Sequence, residues 1–199
     1  MITNFSHHHI DIVVNAGSLD EWRFTGFYRA PEQHIRYESW NLLRSLHRQS
    51  TVPWCCAGDF NEIVRMEEKQ GRSPRAESQM QAFRDVLDEC DFVDLGYTGA
   101  PFTWCNNRDD WNTVWERLDR AVATTAWLEL FPLAQVHHLD EFESDHKLVW
   151  IQLVGLDNTH PRRELFPFEE MWTQDVRKQL ILHGNNSSPA RECLNSNTK

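Results

Sequence analysis

A mixed α/β fold is predicted for this chain from three observations. The uninterrupted apolar run from Val52 to Ala57 reads as a strand buried on both faces. Two stretches with apolar residues at helical spacing flank that run and can cover it. Short β-rich runs divided by Gly-, Pro- and Asn-containing turns fill most of the remaining text as far as residue 154. Strands interleaved with helices in this way give sheets packed between helix layers.

In chain order, Ile10 to Asn15 and Trp22 to Tyr28 form a hairpin around the turn-forming Gly17-Ser18-Leu19-Asp20. A helix is expected from His34 to about Gln49, with Ile35, Leu42, Leu43 and Leu46 on its apolar face, Pro31 ahead of it and Pro53 behind it. The strand Val52 to Ala57 is broken at Gly58, so the residues after Gly58 sit at a strand's carboxyl end. A polar segment from Arg65 to Arg75 leads into a second helix, whose Met80, Phe83, Leu87 and Cys90 make a core-facing stripe. Phe92 to Leu95, Phe102 to Cys105, Val114 to Val122, Ala134 to Leu139 and Lys147 to Val154 read as further strands, with a small helix near Thr124 to Phe131. Gly96, Gly99-Ala100-Pro101 and Asn106 to Asp110 supply the turns between them. One domain therefore occupies residues 1 to 154. Residues 155 to 199 read as a linker at Pro161-Arg162-Arg163, an amphipathic helix from Phe168 to Leu182 and a polar tail.

Bulk composition narrows the function classes. Forty per cent hydrophobic and 25% charged residues fit a globular domain with a core, to which nine Trp and eleven Phe contribute bulk. A formal net charge of −10 argues against a surface that grips a polyanion through many unspecific contacts, so any nucleic-acid role must rest on a local site. Part of that negative charge can be carboxylates that hold a divalent cation. Cys55, Cys56, Cys90, Cys105 and Cys193 form no C-x-x-C pair and are odd in number, which suggests neither a zinc ribbon nor a disulfide framework. With no apolar run long enough to span a membrane and no basic-then-apolar leader, an intracellular protein, cytoplasmic or nuclear, without a membrane partner is expected. His7, His8 and His9 lie side by side, but neighbours on a strand point to opposite faces, which does not favour a metal site.

Two places carry chemistry. Gly58-Asp59-Phe60-Asn61 follows the buried strand, so Asp59 and Asn61 project to one side while Phe60 turns into the core. A carboxylate there can position or deprotonate water, or assist a leaving oxygen, with an amide to hold its partner; Gly-Asp at a strand end is also ordinary turn chemistry. Ser144-Asp145-His146 places a carboxylate beside an imidazole that can hydrogen-bond a phosphate oxygen when protonated. Asp119, within Glu116-Arg117-Leu118-Asp119-Arg120, can orient that imidazole, or pair with Arg117 or Arg120 instead.

The ordered series Phe27-Tyr28-Arg29-Ala30-Pro31, Gly58-Asp59-Phe60-Asn61, Arg117-Leu118-Asp119-Arg120 and Ser144-Asp145-His146 resembles the endonuclease/exonuclease/phosphatase superfamily. Gly96-Tyr97-Thr98-Gly99, Phe102-Thr103-Trp104 and Phe168-Glu169-Glu170-Met171-Trp172 make the resemblance closest to plant LINE-type retrotransposon endonucleases. It covers residues 10 to 154 strongly and 155 to 175 more loosely.

The resemblance implies a DNase I-like fold: part of a four-layer α/β sandwich, two packed β-sheets flanked by helices, with the first part missing. It implies Mg²⁺ (or Mn²⁺) as cofactor, DNA as substrate and hydrolysis without a covalent intermediate. By position, Tyr28 matches a tyrosine that contacts the scissile phosphate, Asp59 the aspartate that activates water or protonates the leaving oxygen, and Asn61 the residue that orients it. Asp119 matches the carboxylate paired with the catalytic histidine, His146 that histidine, and Asp145 a carboxylate close to the metal. The family's early asparagine and its main metal-ligating glutamate would lie upstream of the segment matching residues 10 to 28. Asn4, Asn15 and Glu21 do not sit in their surroundings. An N-terminally truncated endonuclease with weakened metal binding is the resulting expectation, against a catalytically inactive retroelement remnant or interaction module, and against a phosphoinositide or small-phosphoester hydrolase. Oligomeric state is left open.

Overall fold

The buried run around Trp54 becomes the fourth strand of a six-stranded sheet. A computed structural model describes residues 1–29, 36–71, 74–108, 110–141 and 144–153. The main sheet contains β1 (Ile2–Phe5), β2 (His9–Val14), β3 (Trp22–Tyr28), β4 (Trp54–Asp59), β10 (Asp119–Thr124) and β6 (Phe92–Asp94), in the order β1-β2-β3-β4-β10-β6. Within this sheet only the β3–β4 pair is parallel, and a helix makes the crossover that such a pair requires. That helix is α1 (Arg36–Gln49); α2 (Glu77–Glu89) follows β4 and packs beside it.

Both faces of β4 are covered, which is why its sequence does not alternate. On one face Trp54 and Cys56 pack with Trp40, Leu43 and Leu46 of α1 and Phe83, Val86 and Leu87 of α2. On the other, Cys55 packs with Trp22, Ala123 and Trp127, the last from the short helix α3 (Thr125–Leu130). Ile151 of β12 (Leu148–Gln152) reaches the same cluster. β12 belongs to a second sheet, β12-β11-β7, with β11 at Gln135–Leu139 and β7 at Thr98–Gly99. A third, small sheet joins β5 (Lys69–Gln70), β9 (Trp115–Glu116) and β8 (Trp104–Cys105). Among the described residues no helix is long and apolar enough to cross a membrane.

The hairpin, the two long helices and the small helix fall where the periodicity places them; residues 30–35, and with them the expected start at His34, lie outside the described residues. Four expectations change. β1, exposed throughout, has no apolar alternation to announce it; it is held by pairing with β2 and by Thr3 donating to the Asp11 carboxylate at 2.8 Å. The strand expected from Val114 to Val122 is two strands, β9 and β10, in different sheets. Arg117 between them is buried on Glu68 and Asp94, and Thr103 Oγ1 accepts the N–H groups of both Leu118 and Asp119, which turns the chain. Lys69-Gln70 and Thr98-Gly99, expected in loops, are short strands because β9 and β11 offer them partners. Finally, β4 continues through Gly58 to Asp59 instead of ending. At φ 142°, Gly58 lies against the Phe27 carbonyl where any Cβ would collide. The linker, helix and tail expected after residue 154 lie outside the described residues.

Candidate active site

Three candidate residues share one rung of the main sheet. Tyr28 is the parallel register partner of Asp59, and Asp59 is the antiparallel partner of Asp119. Register partners point to the same face, so the carboxyl end of β3, the carboxyl end of β4 and the start of β10 deliver a phenol and two carboxylates to one side. Phe60, the next residue, is fully buried against Phe27 and Phe83. It anchors the chain where it leaves the sheet.

Asn61 turns back on Asp59. With φ at 49°, in the left-handed region that asparagine tolerates, its backbone N–H donates to Asp59 Oδ1 at 2.8 Å and its Nδ2 to Oδ2 at 2.7 Å. The same Nδ2 donates to the Arg29 carbonyl at 2.7 Å, and Arg29 Nη1 donates to the Asn61 carbonyl at 2.6 Å. Arg29, itself buried, is stacked over Trp40 with its guanidinium carbon 4.5 Å from the ring centroid. The turn is thus tied to β3 from both sides.

His146 meets Asp119 across the cleft: Nδ1 and Asp119 Oδ2 are 2.8 Å apart. The alternative partners of Asp119 are engaged elsewhere. Arg117 and Arg120 each bridge Glu68 and Asp94, with contacts of 2.8 to 2.9 Å. A Trp104–His146 β-bridge and the bond from Cys105 N–H to the Asp145 carbonyl at 3.1 Å fix the His146 backbone. The Asp145 carboxylate is exposed and accepts the Trp104 indole N–H at 2.9 Å.

An open cleft of about 360 Å³ is lined by Tyr28, Asp59, Asn61 and His146, and by Arg75, Trp104, Glu116 and Leu118. The first four are residues the sequence singled out. Trp104 belongs to the Phe102-Thr103-Trp104 motif but carries no site role in the sequence, and Arg75 and Glu116 are not distinguished by their local text: Arg75 sits in a polar segment and Glu116 among other charges. The third sheet places Trp104 and Glu116 at the cleft, and Glu116 holds Arg75 there.

Electrostatics sharpen the picture. Burial, reinforced by the neighbouring Asp119, pushes the Asp59 carboxyl up to about 7, against the pull of Asn61, His146 and Arg29. Burial works against the charged form of His146, but the hydrogen bond and charge of Asp119, with Asp59 and Asp145 adding, outweigh it and raise its pKa above the ordinary imidazole value. Asp94, despite burial, is brought down to about 2 by Arg117 and Arg120. Asp59 is thus shifted up toward neutrality and His146 above the ordinary imidazole value, while Arg117 and Arg120 are tied to Glu68 and Asp94.

Ligand atoms of Asp59, Asp119 and His146 all lie within 4.8 Å of one another. Two carboxylates suit a hard divalent cation, which commonly takes one or two of them and completes its shell with water. The raised Asp59 carboxyl fits this, since two adjacent carboxylates repel and a cation between them would relieve that repulsion. The donor set therefore fits a divalent metal. Asp145 stands outside the group of three.

A model of the Endonuclease/Exonuclease/phosphatase family matches residues 2–146. The chain belongs to this family. No match was found among curated proteins. Solved structures share the family's DNase I-like fold. The endonuclease domain of TRAS1, a telomere-specific non-LTR retrotransposon, is 15% identical with a TM-score of 0.60, over 75% of this chain and 65% of its own. The 3′-5′ exonuclease NExo from Neisseria meningitidis is 17% identical with a TM-score of 0.56, over 73% of this chain and 64% of its own. The Neisseria 3′ phosphatase NExo bound to a product DNA hairpin is 17% identical with a TM-score of 0.53, over 74% of this chain and 65% of its own. At these identities the likeness speaks for the fold. The chain spans less than two thirds of the length of each of these family structures.

Proposed function

We propose that this chain carries a Mg²⁺-dependent site for hydrolysing phosphodiesters of DNA, of the kind found in LINE-type retroelement endonucleases. The observation that carries the reading is the convergence of Asp59, held by Asn61, and His146, held by Asp119, on one cleft. The retrotransposon endonuclease domain among the similar structures, and the DNA hairpin on another, support nucleic acid as the substrate class.

In this reading Asp59 is the general base. Without a metal its carboxyl is pushed up to about 7 by burial and Asp119; a cation held beside it would bring it down, and the ionised carboxylate would then position the attacking water and take its proton. Asn61 keeps both oxygens in place while it does so. His146 keeps its Nδ1 proton on Asp119, which leaves Nε2–H of the imidazolium to donate to a non-bridging phosphate oxygen. Tyr28 borders the same cleft and offers its hydroxyl to the scissile phosphate. Asp59 and Asp119 would hold Mg²⁺, whose bound charge would stabilise the developing charge on phosphate and leaving oxygens.

A second reading, a site that binds phosphodiesters without cleaving them, is favoured by one observation. Asp145, expected near the metal, accepts the Trp104 indole N–H and lies outside the group of three. Plasmid nicking by the purified chain in Mg²⁺ and in EDTA, beside His146→Ala, separates the two. Mg²⁺-dependent nicking lost in the variant supports hydrolysis. Folded wild-type protein that binds DNA but does not nick it supports the second reading.

A further inference from the structure

One buried residue lies between the backbones that carry Asp119 and His146. Thr103, in the Phe102-Thr103-Trp104 stretch just ahead of β8, has its hydroxyl oxygen between two amides. Oγ1 accepts the N–H of Leu118 at 3.0 Å and the N–H of Asp119 at 2.9 Å. A hydroxyl oxygen offers two lone pairs, so both are spent on the first residue of β10 and the residue before it. On its backbone, Thr103 donates its N–H to the Glu116 carbonyl at 3.0 Å, and its own carbonyl accepts the Lys147 N–H at 2.7 Å. It is thus bonded to the approach to β10 on one side and to the residue after His146 on the other. With the Trp104–His146 bridge beside it, Thr103 links the two backbones whose side chains meet at 2.8 Å.

A hydrogen bond at the amide of Asp119 acts next to the Cα that aims its carboxylate, and a β-branched threonine is itself stiff about χ1. Valine has the same shape but would leave two buried N–H groups without their acceptor, a cost the chain relieves by shifting the segment that carries Asp119. We infer that Thr103 is a positioning residue for the Asp119–His146 pair: its hydroxyl fixes the start of β10, its carbonyl fixes the segment after His146, and together they set where the imidazole stands in the cleft. Thr103 is not among the residues that line the cleft, so it acts through the pair and not on the substrate. The inference rests on the reading that His146 serves a phosphodiester there, and it adds the group that holds the pair in register.

The test compares Thr103→Val, which keeps the shape and removes the hydroxyl, with Thr103→Ser, which keeps the hydroxyl. Two readouts are taken on the full chain. In EDTA, the nitrogen NMR shifts of the His146 ring, read through its carbon-bound protons at one fixed pH, report the Nδ1 contact with Asp119; Asp119→Asn supplies the value for a broken pair. In Mg²⁺, cleavage of an oligonucleotide gives kcat and KM. Thr103→Val is expected to move the ring shifts toward the Asp119→Asn value and to lower kcat roughly 10- to 100-fold with KM nearly unchanged, while Thr103→Ser stays close to wild type in both. Wild-type ring shifts in folded Thr103→Val overturn the inference and leave Thr103 a structural tie, even where urea melts show lost stability. Shifts displaced in Thr103→Ser as far as in Thr103→Val overturn it as well, since the hydroxyl would then not be responsible. So do moved shifts with an unaltered kcat. Hydroxyl-dependent shifts in a chain whose wild type cleaves nothing sustain the positioning of the pair while removing the proposed hydrolysis, so the two fail separately. Should Thr103→Val not fold, Thr103→Ala, which leaves room for a water at the two amides, gives the same comparison: moved ring shifts support the inference and unmoved ones overturn it.

Discussion

Asn61 satisfies both oxygens of the Asp59 carboxylate, one from its backbone N–H and one from its carboxamide. A carboxylate held at two points has little freedom left, and its proton-accepting lone pairs are aimed by the turn and not by its own rotamer. Asn61→Gly keeps the left-handed backbone and removes only the carboxamide. It is expected to lower kcat for Mg²⁺-dependent cleavage roughly 10- to 100-fold, as loss of an orienting partner commonly does, with KM nearly unchanged. Steady-state kinetics on a fluorescent oligonucleotide check this.

Asp59 couples activity to stability with opposite signs. Its folded-state carboxyl sits at about 7, above the ordinary aspartate value, so the folded state binds the proton more tightly than the unfolded one. The stability it contributes is complete below about pH 4 and is lost as pH rises to about 7. Over that span roughly 4 kcal/mol is the upper bound, at about 1.4 kcal/mol per unit. In metal-free urea titrations Asp59→Asn is expected to flatten the pH dependence between about 4 and 7, and to lower the cleavage rate by about 10²- to 10⁴-fold. A steep dependence retained in the variant would assign the proton to another group.

Asp119→Asn removes the charge that holds His146 protonated. The imidazole pKa, now above its ordinary value, is expected to fall, and the alkaline limb of the rate profile should move to lower pH with it. NMR titration of the His146 ring gives the shift directly, and kinetics give the limb. An unmoved resonance would mean that Asp119 does not govern this histidine.

Gly58→Ala tests the strand crossing beneath the site. The added Cβ would meet the Phe27 carbonyl in a backbone conformation that L residues rarely adopt. A loss of stability of about 1 to 3 kcal/mol or more is expected from the strained backbone, together with loss of cleavage as β3 and β4 move apart. Urea melts beside activity measure both.

Much of this was legible in the text. Trp54-Cys55-Cys56-Ala57 reads as a strand covered on both faces because both faces are covered, and the α2 stripe at Met80, Phe83 and Leu87 is the helix's own periodicity. Alternation alone puts Asp59 and Asn61 on one side of Phe60, and they are hydrogen-bonded there. What stayed hidden depends on partners distant in sequence. Glu68 and Asp94 claim Arg117 and Arg120 from 49, 23, 52 and 26 residues away, and no local window shows this. The same long reach divides β9 from β10 and carries Arg75 to the cleft. Asp145 was legible as a neighbour of His146 but not as the acceptor of the Trp104 indole, 41 residues earlier.

The shared rung of Tyr28, Asp59 and Asp119 has a consequence for how the protein comes to life. Those residues are brought together by inter-strand ladders and by nothing nearer in the chain, so a shift of one residue between β4 and β10 would turn one carboxylate to the opposite face. Chemistry and pairing are therefore a single cooperative event. A ribosome-bound or heat-loosened chain holds these three side chains scattered, and the proposed site comes into being only when the sheet has closed in register.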